Sequence, residues 1–275
     1  MTIAYEKITA EIIELLESSQ SEWELPWRRV GFNGAARNAV GGNVYQGINH
    51  LVLGLQCWKH GYQHNLWLTF KQAKKLGGYV RKGQKATPVL FFKLLEQRDD
   101  ETGDVKQVPC PRVYYVFNIS QCDGLQVVTP QTEHHATEGT DILAWAQGLA
   151  TIELGGDRAC YIPSLDKIQM PHRSQFHSDD GFHATLLHEM THWTKNRVGR
   201  KADDYAFEEL VAELGSVFLC EHFGIRYELE HHASYLKSWM KALKDDKRYI
   251  VKAARLAEQA FSSLVEPGEA QLKAA

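Results

Sequence analysis

The chain has 275 residues, enough for one large domain or two ordinary ones, and its 44% hydrophobic and 24% charged content is typical of globular proteins. Its apolar runs are shorter than the roughly 18 residues of a membrane-spanning helix, and its N-terminus lacks the basic and apolar regions of a secretory signal. The five cysteines are scattered and odd in number, which favours reduced thiols over a disulfide framework. We therefore expect a cytoplasmic protein without a membrane partner.

Positive charge is concentrated in the first half of the chain, although the formal net charge is −3. From Leu25 to Leu95 there are eleven Lys or Arg residues and no Asp or Glu. Such a separation of charge between the parts of a chain is typical of proteins that bind nucleic acid.

Apolar spacing and turn residues predict three helices in the first half, followed by two paired strands. The helices are expected over 4–20, 49–59 and 69–76, and the strands over 88–94 and 112–118. An acidic turn over 97–104 is predicted to join the two strands.

A polar segment without periodicity, residues 127–140, is predicted to link a first domain (1–126) to a second domain (141–275). The second domain is predicted to be mainly helical with a small sheet, which gives an α+β fold class with an α/β first domain. Its helices are expected over 140–150, 180–196, 204–223, 231–244 and 246–264, and its strands near 159–162 and 167–170.

The ends of two of these helices carry recognisable signals. Asp179 or Asp180 is the predicted N-cap of the helix over 180–196. Asp203 or Asp204 is the predicted N-cap of the helix over 204–223, which Gly224 is expected to end.

The strongest chemical signal is the run His188-Glu189-Met190-Thr191-His192, inside a predicted helix. Side chains at positions i and i+4 lie on one helix face, so His188 and His192 can bind one Zn²⁺, or another divalent metal such as Mn²⁺. Glu189 is the predicted catalytic base, which takes a proton from the attacking water and returns it to the leaving amine. The pattern predicts a metallopeptidase; the alternative is a surface helix with two histidines and an acidic face.

A catalytic zinc site needs a third protein ligand, and the helix over 204–223 offers two carboxylates on one face. Glu209 is the predicted third ligand, and Glu213 one turn later is predicted to accept a hydrogen bond from a ligand imidazole. The two glutamates could exchange these roles. Tyr205 is a further catalytic candidate, as a donor to the oxyanion.

The basic first half also carries many aromatic residues, and this combination suits single-stranded nucleic acid because cations neutralise phosphates while rings stack on bases. The alternative is that the aromatic side chains belong to the core and the lysines to a solvated surface. The predicted DNA contacts are Arg37, Tyr45, Asn49, Trp67, Lys71, Lys74, Lys75, Arg81, Lys82 and Lys85.

Several runs of the first half resemble the N-terminal domain of ArdC-type antirestriction proteins. The matching runs are Asn43–Asn49, Trp67–Ala73, Gly77-Gly78, Val80–Gly83 and Val116–Asn118. In the second half, His188–Thr194 and Tyr205–Glu213 are similar to the zincin-like peptidase domain of the same proteins. The resemblance covers nearly the whole chain.

The resemblance implies a protein of conjugative plasmids or related mobile elements that binds single-stranded DNA and protects incoming DNA from host restriction. Duplex DNA without strong sequence preference and a host protein substrate are further expected partners. The resemblance also implies a zinc-dependent peptidase of unknown substrate, with His188, Glu189 and His192 in the motif's roles. Three other interpretations stay open. One is a metallopeptidase acting on a host or plasmid protein and using DNA only for targeting, and another is a DNA-occupying protein whose metal domain is structural or regulatory. The third is a processing peptidase whose basic half binds an acidic protein substrate instead of DNA.

Overall fold

The structure is a computed structural model that describes residues 2–18, 34–98, 105–126, 140–201, 204–225 and 233–266. The predicted linker over 127–140 and the predicted acidic turn over 97–104 lie almost entirely outside these residues. Among the helices in the described ranges, none is long and apolar enough to cross a membrane.

The first half contains three α-helices and six strands within the described ranges; the sequence predicted the three helices and the two longest strands, in this order, but not the four short strands. The helices are α1 (Thr2–Ser18), α2 (Gly47–Lys59) and α3 (Phe70–Lys75). The strands are β1 (Arg37–Asn38), β2 (Leu66–Leu68), β3 (Tyr79–Val80), β4 (Thr87–Arg98), β5 (Val105–Asn118) and β6 (Cys122–Asp123).

A four-stranded sheet in the order β1-β2-β5-β4 organises this half. β4 and β5 form a long antiparallel hairpin in which Leu90 pairs with Val113 and Phe91 pairs with Arg112. Both strands are longer than predicted because backbone pairing continues past the apolar residues to Arg98 and Val105. Asn49 of α2 extends the pairing at the β4 edge, where its side chain donates to the Leu90 carbonyl (2.7 Å) and accepts from the Leu90 N–H (2.6 Å).

The second half contains a small sheet and five helices within the described ranges. The helices are α4 (Ile142–Gln147), α5 (Asp179–Arg197), α6 (Tyr205–Phe223), α7 (Ala233–Asp245) and α8 (Tyr249–Val265). The strands are β7 (Thr151–Leu154), β8 (Cys160–Ile162) and β9 (Lys167–Met170), in the order β7-β9-β8. β7 was not predicted from the sequence. The helix expected over 140–150 is shorter because the chain turns at Gly148 and enters β7.

The two long helices that form the centre of this half begin at capping residues. The prediction that Asp179 or Asp180 caps α5 is wrong, because Ser178 is the N-cap and its hydroxyl accepts from the Gly181 N–H (2.9 Å). The two aspartates instead lie in the first turn, where negative charge complements the helix dipole. The N-cap of α6 is Asp204, as predicted, and Gly224 ends this helix with a φ of 68°.

One hydrophobic core spans both halves of the chain. Ile8 and Ile12 of α1 and Leu51 of α2 belong to the same buried cluster as residues of α5, α6 and α8. A second, smaller cluster around Trp67 and Val89 lies entirely within the first half. The two domains therefore share buried surface instead of packing only within themselves.

α5 and α6 cross at very close range. A Cβ atom added to Gly215 of α6 would lie 2.5 Å from Cγ2 and 2.8 Å from Oγ1 of Thr191 on α5. The Thr191 hydroxyl donates to the Leu187 carbonyl (2.9 Å), so this side chain is held in place. Because glycine has no side chain, α5 and α6 can approach closely at Gly215, which brings the polar residues of the two helices together.

Candidate metal centre and candidate nucleic-acid surface

α5 places the two motif histidines side by side, one turn apart. The Nε2 atoms of His188 and His192 lie 3.2 Å from each other. His188 is buried, and His192 is partly exposed to the adjoining cleft. Two imidazole nitrogens that converge in this way can hold one metal ion.

Glu209 of α6 completes a group of three possible ligands. Its Oε2 lies 3.6 Å from His188 Nε2, and its Oε1 lies 3.5 Å from His192 Nε2. A tetrahedral ion with ligands at about 2.0–2.1 Å separates its donor atoms by about 3.3 Å. The spacing and the nitrogen–oxygen donor set therefore fit a divalent metal, and the three ligand atoms lie within 4.8 Å of one another.

Glu208 and Arg200 hold His192 from the side opposite to Glu209. The Nδ1 atom of His192 lies 3.2 Å from Glu208 Oε1, and the Arg200 guanidinium donates to the same carboxylate at 2.6 Å. Arg200 also donates to Thr194 Oγ1 and to the Thr191 carbonyl, each at 2.9 Å. Burial lowers the pKa of His192, but the hydrogen bonds to Glu208 and Glu209 and the charges of Glu189 and Glu209 together raise it by more, to about 9.

Glu213 was predicted to accept a hydrogen bond from a ligand imidazole; at His192, the carboxylate that contacts the imidazole is Glu208. Glu213 is fully buried one turn after Glu209 on α6. Spacing along one helix did not reveal Glu208, because its contact with His192 depends on how α5 and α6 cross. Arg200 was also missed, since it lies between the two helices in sequence.

The candidate base, Glu189, lies beside these ligands and is held by the small sheet. The Tyr161 N–H of the edge strand β8 donates to Glu189 Oε2 (2.7 Å). Glu189, His188 and His192 line a cleft of about 1050 Å³. Tyr205, 68% exposed, lines the same cleft at the start of α6.

Three of the predicted DNA contacts are buried, and the predictions for them need correction. Trp67 is 0% exposed in the second core, and its indole N–H donates to Asn65 Oδ1 (2.6 Å). Asn49 is buried in its bridge to Leu90, and Tyr45 is 8% exposed. Side chains that are enclosed in this way have no free face for a base.

The predicted cationic contacts are mostly at the surface. Arg81 is half-buried, and its guanidinium pairs with Asp123 (3.0 Å) and donates to the Ser120 carbonyl (2.6 Å). This pairing gives Arg81 a structural role. Because Asp123 neutralises much of the positive charge of Arg81, less of that charge can attract DNA phosphates. The exposed members are Arg37, Lys71, Lys74, Lys75, Lys82 and Lys85.

Both halves match known families of protein domains. The family described as zincin-like metallopeptidase matches residues 141–256. The family described as the N-terminal domain of the anti-restriction factor ArdC matches residues 3–117. Fold and site therefore define a two-domain protein whose second domain is of the zincin-like metallopeptidase class.

Solved structures match over nearly the whole chain. The metal-free crystal structure of the antirestriction protein ArdC from plasmid R388 is 39% identical, with a TM-score of 0.79, and the match covers 95% of this chain and 96% of that one. The Mn(II)-bound structure of ArdC is 36% identical, with a TM-score of 0.77, and the match covers 98% of both chains. The chain belongs to the ArdC family.

Curated relatives match over a similar range. A DNA primase TraC of Escherichia coli is 36% identical across 93% of this chain, and the chain spans 19% of that protein. A second TraC primase from the same organism is 37% identical, and the chain spans 26% of it. An uncharacterised protein of Sinorhizobium fredii, y4eC, is 33% identical, with 94% of this chain and 90% of that protein covered.

Proposed function

We propose that this protein protects incoming DNA of a mobile element from host restriction in the cytoplasm, binding single-stranded DNA and carrying a metal-dependent peptidase site. The convergence of His188, His192 and Glu209 beside Glu189 is the observation that carries the enzymatic part. The match to the antirestriction protein ArdC over 96% of its chain supports the biological role.

His188, His192 and Glu209 would hold the metal, with Zn²⁺ as the proposed ion and Mn²⁺ as the alternative that the Mn(II)-bound relative supports. When bound, such a metal polarises a peptide carbonyl and acidifies water. Glu208 supports this role, because its contact with Nδ1 of His192 leaves the Nε2 lone pair directed at Glu209 and His188.

Glu189 would act as the base and then as the acid of peptide hydrolysis. The Tyr161 N–H occupies one lone pair of Glu189 Oε2 and fixes the carboxylate, which keeps further lone pairs to accept the proton of the attacking water. The same carboxyl group then donates that proton to the leaving amine. Tyr205 at the mouth of the cleft would donate its hydroxyl proton in a hydrogen bond to the oxyanion.

DNA binding would rest on the exposed cations Arg37, Lys71, Lys74, Lys75, Lys82 and Lys85. α3 begins at a capping box in which the Gln72 N–H donates to Thr69 Oγ1 (3.2 Å), so its lysines project from a fixed helix. Lysines neutralise phosphates whatever the base sequence of the DNA, which suits a protein that must protect any incoming DNA.

The first experiment tests the metal and the base together. Metal analysis of the purified protein should find one divalent ion per chain, and His188→Ala/His192→Ala should lose it. Glu189→Gln should keep the metal and DNA binding but lose hydrolysis of a general peptide substrate by several orders of magnitude. A wild-type protein that takes up no divalent ion would disprove the proposed metal centre.

The second experiment asks whether antirestriction needs hydrolysis. Glu189→Gln is introduced into a plasmid that is transferred to a restricting host, and transfer frequency is compared with wild type. Wild-type protection by this variant would assign protection to DNA binding, whereas loss of protection would favour the alternative of a peptidase that uses DNA for targeting. Glu189 itself favours a chemical role, since a structural metal site does not require a base.

A further inference from the structure

Burial of Trp67 and Tyr45 leaves open which rings of the first half could stack on bases. Stacking needs an exposed ring face, because the base replaces water on that face. Among the residues of this half that the structure describes, the aromatic side chains with at least 45% exposure are Phe70, Tyr79, Phe91, Phe92, Tyr114 and Tyr115. Four of these six lie on the β4–β5 hairpin.

The strand register distributes those four rings over two opposite faces. Val89 pairs with Tyr114 and Phe91 pairs with Arg112, so Phe91, Lys93, Arg112 and Tyr114 share one face, here called the Phe91 face. Phe92 pairs with Pro111, and Tyr115 pairs with Pro88, so Phe92, Leu94 and Tyr115 share the opposite face, here called the Phe92 face. The alternation of side chains along each strand predicts two faces of the hairpin, but it does not predict which part of each face is buried by the rest of the protein.

The rings of the Phe91 face form a supported platform. The Phe91 and Tyr114 rings lie edge to face, with centroids 5.7 Å apart and an interplanar angle of 79°. The buried Tyr45 ring lies behind Phe91 at 6.3 Å, and below it Val89 and Val116 belong to the second core. Phe91 and Tyr114 are 45% and 48% exposed, so each is held on one side and open on the other.

The same platform is connected to the basic helix α3. Tyr45 Oη accepts from Asn38 Nδ2 (3.4 Å), and Asn38 Nδ2 also donates to Gln72 Oε1 (3.3 Å) of α3. Lys71, Lys74 and Lys75 are exposed on that helix. These contacts link α3, through Asn38, to the Tyr45 side chain that lies behind Phe91.

Charge distinguishes the two faces of the hairpin. Arg112 and Lys93 are exposed beside the rings of the Phe91 face, and within the described ranges no carboxylate forms an ion pair with either of them. The Phe92 face carries the carboxylate Glu96, and its Tyr115 hydroxyl is bound by Lys7 of α1 (2.7 Å). Rings next to unneutralised cations match the alternation of bases and phosphates in a single strand.

We infer that the Phe91 face of the β4–β5 hairpin is the base-stacking platform of this protein for single-stranded DNA, with Phe91 and Tyr114 stacking on bases and Lys93 and Arg112 contacting phosphates. This inference rests on the proposed DNA-binding function and assigns residues to it. Duplex DNA keeps its bases stacked inside the helix, so these rings select unpaired strands.

The experiment measures binding of the full-length protein to fluorescein-labelled oligo(dT) by anisotropy. Phe91→Ala/Tyr114→Ala should weaken binding by about tenfold or more. Phe92→Ala/Tyr115→Ala removes the same ring types from the opposite face of the same two strands and should leave affinity unchanged. Phe91→Trp/Tyr114→Trp keeps a stacking ring and should bind at least as tightly as wild type.

A further double variant tests the cations, and it remains informative if the alanine variants fail to fold. Affinity for DNA falls as salt rises. For Lys93→Gln/Arg112→Gln, the plot of log affinity against log salt concentration should be less steep than for wild type, by about 0.7 for each phosphate that the variant no longer neutralises. Equal affinity losses for both faces, or an unchanged slope and affinity for the Phe91 face variants, would overturn the inference. A wild-type protein that does not bind oligo(dT) would instead refute the proposed DNA-binding function itself.

Discussion

At the candidate metal centre, the Glu208 side chain connects the buried Arg200 to the candidate ligand His192. Arg200 holds Glu208, and Glu208 accepts from His192 on the nitrogen that faces away from Glu209. The Arg200 side chain is fully enclosed, so its charge is compensated by Glu208 and not by water. Glu208 thereby fixes both the orientation and the tautomer of this candidate ligand.

Replacing Glu208 by Gln should therefore weaken metal binding by about 10–100-fold, because the neutral amide is a weaker acceptor for the His192 N–H. Titration calorimetry with Zn²⁺ and with Mn²⁺ measures this effect. Glu14→Gln, which changes an exposed glutamate paired with Lys59, is the matched control and should bind metal as wild type does. Equal affinity for Glu208→Gln would mean that Glu208 does not orient the ligand.

A second buried charge cluster lies away from the metal centre, where α2 meets α6 and α8. His50 is hydrogen-bonded to Glu221, and Glu258 accepts from the Gly47 N–H (2.8 Å). Burial lowers the pKa of His50, but the Glu221 carboxylate raises it by more, so that it lies above its ordinary value of 6.5. Burial also raises the pKa of Glu258.

Both shifts give stability the same pH dependence. Above the ordinary pKa of each group, the folded chain binds more protons than the unfolded chain, so the free energy of unfolding falls as pH rises. For His50 the loss should begin near pH 6.5 and end above its folded pKa, with a slope of at most about 1.4 kcal/mol per pH unit. Urea unfolding across this range measures it, and His50→Gln should flatten the curve. An unchanged slope in that variant would assign the effect to other groups.

Sequence spacing predicted the residues that chemistry requires to be close in sequence or on one helix. It paired His188 with His192 and selected Glu209, and the structure brings these three together. It did not predict Glu208 or Arg200, because their contacts depend on the crossing of two helices. It placed Trp67 at a DNA surface, because an aromatic residue in a basic segment has the same pattern whether its ring is buried or exposed.

At the scale of elements, the crossing of α5 and α6 determines whether Glu209 can reach the histidines. Gly→Ala in the middle of a helix usually stabilises it by about 1 kcal/mol. At Gly215 the added Cβ would lie 2.5 Å from Thr191 Cγ2, and overpacking of this kind costs about 1–3 kcal/mol. The clash therefore outweighs the gain in helix propensity, and Gly215→Ala should destabilise the protein and weaken metal binding.

Thr191→Ala/Gly215→Ala tests this contact, since it removes Cγ2 and Oγ1 of Thr191, the two atoms that the new methyl group would meet most closely. The double variant should be less destabilised than the sum of the two single variants. Thermal unfolding and metal titration of all four proteins provide the comparison. Additive effects would contradict the proposed contact.

Most long elements could be predicted from apolar spacing, whereas their ends often could not. α6 follows the prediction because Asp204 and Gly224 are strong capping signals. The N-cap of α5 was misassigned, since Ser178, Asp179 and Asp180 are all good capping residues and local sequence does not choose among them. β7 was missed because four residues next to a turn carry too little periodicity to identify a strand.

At the scale of the whole molecule, the shared core joins the first half, which we propose binds DNA, to the second half, which carries the candidate metal site. Residues of α1 and α2 are buried in one cluster with residues of α6 and α8, so neither half encloses all of its own apolar surface. We expect the two halves to unfold in one transition. Hydrogen exchange along a denaturant series, followed for peptides of α2 and of α6, should show coincident midpoints. Two separated midpoints would show that the halves are independent.

The shared core also constrains how such a chain is inherited. The two TraC primases match it across 93% of its length, through both halves and not one alone. A recombination event that exchanged the second half by itself would set the α1 and α2 side chains of one lineage against the α8 side chains of another. Recombination is therefore expected to transfer the two halves together as one unit, whether alone or within a longer protein.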